Sequence, residues 1–333
     1  MEETIFKAMI VEEPQKGTFA RRIGERRIGD LPPGDVVIRV HYSSLNYKDA
    51  LSATGNPGVS RNFPHTPGID AAGEVVASST HDLVPGDQVI VTGFDLGMNT
   101  AGGFGRYIRV PAAWIVKLPP GLSLRESMIL GTAGFTAALS VSRLMEAGVK
   151  PGSGDIIVSG ATGGVGSTAV ALLAKAGYRV VAASGKAHEQ EFLLALGASE
   201  VISREELQKG SERPLMKERW AGAVDVAGGT TLAAILKATR YGGIVTCCGL
   251  VGSPELAVNV FPFILRGVGL LGIDSAECPM GPRTAVWKRL ATDWKLNTLA
   301  DLAVECRLDE LEQKIQIMLQ GGLRGRTIVN LAD

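Results

Sequence analysis

Cysteine is scarce in this chain: four in 333 residues, Cys247, Cys248, Cys278 and Cys306, with no C-x-x-C spacing among them. That argues against a disulfide-built scaffold, and the adjacent Cys247 and Cys248 lie in an apolar run where reduced, buried thiols are expected. Histidine is as rare, with His41, His65, His81 and His188 scattered along the chain. A zinc site needs three or four converging ligands, and no such set is expected here. No charge of one sign dominates, since Lys plus Arg and Asp plus Glu number 34 each. Without a global field, neither nucleic acid nor an anionic membrane surface is an expected partner. Residues 1–7 lack the basic and apolar regions of a signal peptide, and Arg266 interrupts the apolar run 261–265, so no stretch is expected to reach membrane-spanning length. A cytoplasmic location is the expectation.

What is present is ordinary globular material, 45% hydrophobic and 20% charged, in a chain long enough for two cores. The first third predicts short strands at 6–11, 36–42, 73–77, 88–92, 105–110 and 114–118. They are separated by Pro/Gly turns at 31–35, 84–87 and 118–121. This is the pattern of an all-β partial barrel. From a helix at 128–146 the pattern changes to alternation. Strands at 155–159, 179–183, 200–202, 223–226 and 244–248 alternate with helices at 165–175, 188–196, 215–220 and 231–239. Alternation of this kind predicts a parallel sheet with right-handed crossovers and helices on both faces. A strand at 268–272, helices at 282–294 and 308–320, and a strand at 327–331 complete the chain.

The chemistry is concentrated at residues 156–166, where a β-branched run breaks into Ala161-x-Gly163-x-x-Gly166 and then into a helix. Glycines let backbone approach a pyrophosphate, and the helix N-terminus offers unpaired N–H groups to its charge. An NAD site usually places Asp or Glu about 20 residues past the glycines. Here that position reads Ala183-Ser184-Gly185-Lys186, and Arg204 follows the next strand. A hydroxyl and two cations suit a 2′-phosphate, so NADP is the expected cofactor. Tyr47, at a strand-to-helix junction in Asn46-Tyr47-Lys48-Asp49, is a candidate hydrogen-bond donor or general acid.

Segments 44–51, 63–73, 131–138 and 160–166, with Tyr241-Gly242-Gly243, Cys248-Gly249-Leu250 and Gly325-Arg326-Thr327, together resemble the medium-chain dehydrogenase/reductase superfamily. Residues 262–266 followed by Gly272-Ile273-Asp274-Ser275 resemble its zinc-free quinone-oxidoreductase branch, in particular the NADPH-dependent acryloyl-CoA reductases. The resemblance implies an α/β protein: a GroES-like, partly open β-barrel catalytic domain (1–127 and 277–333) and a doubly wound Rossmann domain (128–276). Where zinc members carry Gly-His-Glu, this chain has Gly68-Ile69-Asp70, so no metal is implied. Tyr47 is implied at the nicotinamide and substrate end, and as the catalytic residue. Thr132 would orient the carboxamide, and Thr162, Gly163, Gly164 and Val165 would hold the pyrophosphate. Ser184, Gly185, Lys186 and Arg204 fall at the 2′-phosphate, and Leu250, Ile264 and Ser275 beside the nicotinamide. Many relatives carry Arg where Lys186 stands, which weakens bidentate recognition but keeps the charge.

The activity implied is NADPH-dependent reduction of the C=C bond of a small α,β-unsaturated acyl compound, acryloyl-CoA to propionyl-CoA. Quinone reduction is the alternative, and a non-catalytic NADPH-binding structural or regulatory protein the alternative of another class. Arg21, Arg22, Arg61 and Arg283 are all open as contacts for CoA phosphates. A homodimer paired through the apolar segment 268–272 is expected.

Overall fold

A computed structural model describes residues 1–332, which form two compact units. The first holds Met1–Thr132, Ala276–Thr292 and the described residues from Leu299 onward, and the second holds Ala133–Ser275 and Asp293–Thr298. The division therefore falls at Thr132, inside a helix, rather than at 127, and 293–298 belong to the second unit rather than the first.

The chain opens with β1 (Ile5–Gln15), β2 (Thr18–Arg27), β3 (Val36–Leu45) and α1 (Tyr47–Ala53). Next come β4 (Asp70–Ser78), β5 (Gln88–Thr92), β6 (Tyr107–Val110), β7 (Ile115–Lys117) and the long α2 (Leu124–Glu146). The second unit continues through β8 (Asp155–Val158), α3 (Gly164–Lys175), β9 (Val180–Ser184), α4 (Gln190–Ala195), β10 (Glu200–Ser203) and α5 (Arg204–Gln208). It ends with β11 (Trp220–Asp225), α6 (Gly229–Ala238), β12 (Thr239–Cys247), α7 (Phe261–Arg266) and β13 (Gly269–Gly272). The first unit is completed by α8 (Met280–Ala291), β14 (Ala303–Arg307), α9 (Leu311–Leu319) and β15 (Arg326–Asn330).

In the first unit a seven-stranded sheet runs β14-β15-β3-β4-β5-β7, with β6 also paired to β3, and β1 and β2 form a separate hairpin. Strand β3 is buried on both sides. Val36, Ile38 and Val40 join the main core with Phe104, Ile315 and Val329, while Val37 packs with Phe6, Ala8 and Ile28. Full burial of each such side chain contributes roughly 1.5–3 kcal/mol, so the central strand anchors this sheet. The second unit is a parallel six-stranded sheet in the order β10-β9-β8-β11-β12-β13. Its core is built from Ile157, Val181, Ala223 and Val245 of the strands and Ile235 and Leu236 of α6. The order reverses between β8 and β11, and in doubly wound sheets ligands bind in the crevice at the carboxyl ends of the strands at such a reversal.

Several expectations are corrected. Residues 215–219 are not helical, and Trp220 opens β11. Strands β2 and β14 and the short helix α7 were not expected. Helix α2 is long and apolar enough to span a membrane, contrary to the expectation that no stretch is. It is mostly buried inside the protein and broken at Gly131, which sits at φ 51° and ψ −158°.

Candidate active site

The glycine turn lies where strand β8 meets helix α3. Gly160 takes the left-handed conformation, φ 54°, so the turn is made one residue before Ala161, and Ala161 is buried in a position that tolerates a methyl group. At Gly166 a Cβ would lie 2.3 Å from the Gly160 carbonyl oxygen, so only glycine lets α3 pack this close to the turn. The opening N–H groups of α3, at Gly164, Val165 and Gly166, have no acceptor within the helix. With Thr162 and Gly163 they form a backbone cradle suited to a pyrophosphate.

One residue beneath this cradle escaped the sequence reading. Asp225, fully buried at the end of β11, accepts hydrogen bonds from Ser159 Oγ (2.7 Å) and the Gly228 N–H (2.8 Å). The Ser159 hydroxyl in turn accepts from the Val226 N–H at 3.0 Å. Burial raises the Asp225 pKa against the pull of these hydrogen bonds. The side chain ties β8 to β11 at the point where strand order reverses. Its signal in the sequence is an acid closing an otherwise apolar strand.

Ser184, the last residue of β9, is buried. Its hydroxyl accepts from the Lys186 N–H at 3.0 Å and lies 3.5 Å from Thr162 Oγ1. Arg204 opens α5 on the neighbouring strand connection, and a Cβ at Gly185 would stand 3.2 Å from its guanidinium. Thus Ser184, Gly185, Lys186 and Arg204 converge on one corner of the sheet. Burial depresses the Lys186 pKa, and Glu189 partly offsets this. A hydroxyl and cationic side chains are groups that suit a phosphate.

At the carboxyl ends of β11, β12 and β13 is a hollow of about 600 Å³ lined by Gly228, Cys248, Leu250, Ser253 and Asp274, among others. Leu250 therefore lines a cavity. Ser275 follows Asp274, and its hydroxyl accepts from Thr136 Oγ1 at 2.7 Å. Ile264 is not among the lining residues and is 67% exposed on α7. Burial, with the charge of Asp225, pushes the Cys248 thiol up to about 12, so it stays protonated.

The first unit carries the other residues. Tyr47 opens α1, is 41% exposed, and among the described residues nothing hydrogen-bonds its hydroxyl. Asn46, which precedes it, forms a capping box with Asp49. Asp49 accepts from the Asn46 N–H (2.7 Å) and the Ile69 N–H (2.8 Å). Burial, then the nearby charge of Asp70, raises its pKa to about 7. Thr132 does not stand alone, because its hydroxyl donates to Asp70 Oδ1 at 2.5 Å. Arg326, buried and 3.7 Å from Asp70, donates to the Ile129 carbonyl (3.0 Å), Ser44 Oγ (2.8 Å) and Asn46 Oδ1 (3.1 Å). Asp49, Asp70 and Arg326 thus form a buried polar cluster of two carboxyls and one guanidinium. Among the described residues no group of three or more His, Cys, Asp or Glu is arranged to hold a metal ion.

Of the arginines open for CoA, Arg283 is removed. It is fully buried, donates to Thr92 O (2.7 Å) and Ala276 O (2.9 Å), and stacks its guanidinium on Phe94 at 4.3 Å. Arg21 is bound bidentately to Glu312, and Arg22 pairs with Glu12.

The alcohol dehydrogenase GroES-like domain profile matches residues 32–120, and the zinc-binding dehydrogenase profile matches residues 164–292. YhfP of Bacillus subtilis, named as a quinone oxidoreductase, is 48% identical over 91% of this chain and 92% of its own. The chain belongs to the medium-chain dehydrogenase/reductase superfamily. Acrylyl-CoA reductase AcuI of Ruegeria pomeroyi is 41% identical over 98% of this chain and 99% of its own. The crystal structure of Escherichia coli YhdH with bound NADPH superposes with a TM-score of 0.94 at 45% identity, covering 98% of this chain and 100% of that one. That of YhfP, with NAD bound, gives 0.96 at 45% identity, covering 99% and 100%. The two-unit architecture of this superfamily member, a β-sheet unit interrupted by a doubly wound parallel one, agrees with these neighbours.

Proposed function

We propose that this protein is an NADPH-dependent oxidoreductase that reduces the carbon–carbon double bond of a small α,β-unsaturated acyl thioester, acryloyl-CoA to propionyl-CoA. The observation that carries the cofactor assignment is the convergence of Ser184, Lys186 and Arg204 beside a glycine cradle. These residues fit NADPH: the cradle takes the pyrophosphate and the cationic corner takes the 2′-phosphate. When bound, NADPH supplies the hydride.

The protein's own residues supply placement and charge stabilisation. Reduction at the β-carbon leaves negative charge on the thioester carbonyl oxygen, which needs a hydrogen-bond donor. Tyr47 is that donor in this reading, its hydroxyl having no hydrogen-bond partner among the described residues, and Thr132 orients the nicotinamide carboxamide. A proton delivered to the α-carbon, from water or a protein donor, completes the reaction.

The relatives' names support this reading, AcuI as an acrylyl-CoA reductase, and they also favour a second, since YhfP is named for quinone reduction. NADPH oxidation measured in parallel with acryloyl-CoA, crotonyl-CoA, free enones and benzoquinones decides between them. The highest kcat/KM is expected with acryloyl-CoA, and equal or greater efficiency with a quinone overturns it.

The enzyme in this reading is zinc-independent, cytoplasmic and a homodimer. Ile69 standing where a ligand histidine would stand supports the first. Strand β13, at the end of the parallel sheet with one edge unpaired among the described residues, supports the last.

A further inference from the structure

We propose that Asp70 is a positioning residue for this reduction, holding Thr132 and the first turn of α1, which carries Tyr47, in one fixed relation. The inference rests on the reductase reading above. Its basis is the break in α2. Gly131, at φ 51° and ψ −158°, interrupts the helix, so Thr132 opens a new helical run and its N–H stands at a helix N-terminus. Such a terminus favours negative charge. Asp70 supplies it from β4, with its carboxylate oxygens 3.0 and 2.9 Å from the Thr132 nitrogen.

The Thr132 hydroxyl has one proton, and it goes to Asp70. Toward any other group Thr132 can therefore only accept a hydrogen bond, which selects the NH₂ side of a carboxamide over its C=O side. Asp70 reaches the other way as well. Its Oδ2 accepts from Ser44 Oγ at 2.5 Å and from Asn46 Nδ2 at 2.8 Å, and Asn46 is the cap of α1, next to Tyr47. Arg326 orients both donors through their remaining acceptor atoms. Every proton in this network has one consistent direction. Glycine is required at the break for a second reason, because a Cβ at 131 would lie 2.5 Å from Asp70 Oδ2. Asp70 is itself part of neither the glycine cradle nor the 2′-phosphate corner, so affinity for NADPH and the rate of its oxidation should separate.

The test uses the full-length protein with NADPH pre-bound, mixed with saturating acryloyl-CoA or, if the wild type prefers it, a benzoquinone. The single-turnover rate constant is read, because it does not depend on the fraction of active enzyme. Misplacement by about 1 Å can cost about 100-fold, so Asp70→Asn is expected to slow this step by about that factor. Its NADPH dissociation constant, from cofactor fluorescence, should stay within about threefold of wild type, because in this reading the pyrophosphate cradle and the 2′-phosphate corner supply most of the cofactor's binding contacts. Thr132→Val should slow the step by about tenfold, and the double variant should be no slower than Asp70→Asn alone, since the two act as one unit. An Asp70→Asn rate constant within about threefold of wild type, or losses that multiply in the double variant, overturns the inference. Should Asp70→Asn fail to fold, a wild-type rate constant for Thr132→Val overturns it equally. A wild type that oxidises bound NADPH with neither acceptor sinks the reductase reading, and this inference with it.

Discussion

Arg204 reaches its place through chain geometry: it opens α5 directly after β10, which pairs in parallel with β9, whose last residue is Ser184. Its guanidinium stands over Gly185. Hydrogen bonds to charged groups contribute about 1.5–3 kcal/mol, so Arg204→Ala should weaken NADPH binding roughly 10- to 100-fold. Binding of NADH, which lacks the 2′-phosphate, should move far less, and titration of both cofactors checks this. An equal loss for the two would remove Arg204 from the 2′-phosphate site.

Asp49 yields a pH prediction. Its carboxyl titrates at about 7 in the folded chain, because burial and then Asp70 oppose its charge, against about 3.9 in an unfolded one. The stability that protonated Asp49 contributes is complete below about pH 4 and is lost as pH rises through about 7. Asp49→Asn cannot ionise but loses an acceptor, so it should be less stable than wild type at pH 5 by a margin that narrows by pH 8. Thermal melts at the two pH values measure that margin, and a constant one refutes the assignment. Ser184, Lys186 and Tyr47 could be singled out as candidates from sequence because each lies within a few residues of a recognisable junction. Asp225 and Asp70 were not, since what makes them matter is which distant donors meet them.

Elements with strong local periodicity are where the sequence places them, as β5 (Gln88–Thr92) illustrates. The segment 215–220 has helix-forming composition yet is not helical. The Met216 N–H donates to Lys237 O (3.0 Å), the Arg219 N–H donates to Ala238 O (2.8 Å), and Arg266 donates to Met216 O (2.7 Å). Trp220, 1% exposed, then pairs with Asp155 and Thr239 as the start of β11. Tertiary hydrogen bonding and the burial of one large ring override a weak propensity here. Strand β2 was missed for the opposite reason. With the sequence TFARRIGERR and mostly exposed or half-exposed side chains, it shows no apolar face, and its ladder to β1 alone defines it. In α2 the apolar pattern runs across Gly131 without a sign of the break, because the partner that rewards the break is an aspartate on another strand.

At the scale of the molecule, β13 ends the parallel sheet with one edge unpaired among the described residues, and Leu270 and Leu271 on it are only half-buried. Close to it in the chain, Val260, Ile264 and Leu265 are 59%, 67% and 57% exposed. An apolar edge of this kind is normally covered, and pairing with a second copy covers it symmetrically. Sedimentation at micromolar concentration should show a dimer for the wild type and a monomer for Leu271→Lys, and a monomeric wild type refutes the arrangement. The sequence by itself determined the two kinds of architecture, the glycine cradle and the preference for a phosphorylated ribose. Each is written in a short window, as an alternation of elements, a strand–turn–helix junction, or a missing acid at a known spacing. Only the tertiary structure decided that Asp70, Thr132 and Arg326 share one buried network, that Asp225 joins the two strands at the reversal, and that Arg283 is a core residue. These depend on residues far apart in the chain being brought to hydrogen-bonding distance, and neither periodicity nor spacing encodes which buried donor will meet which carboxylate.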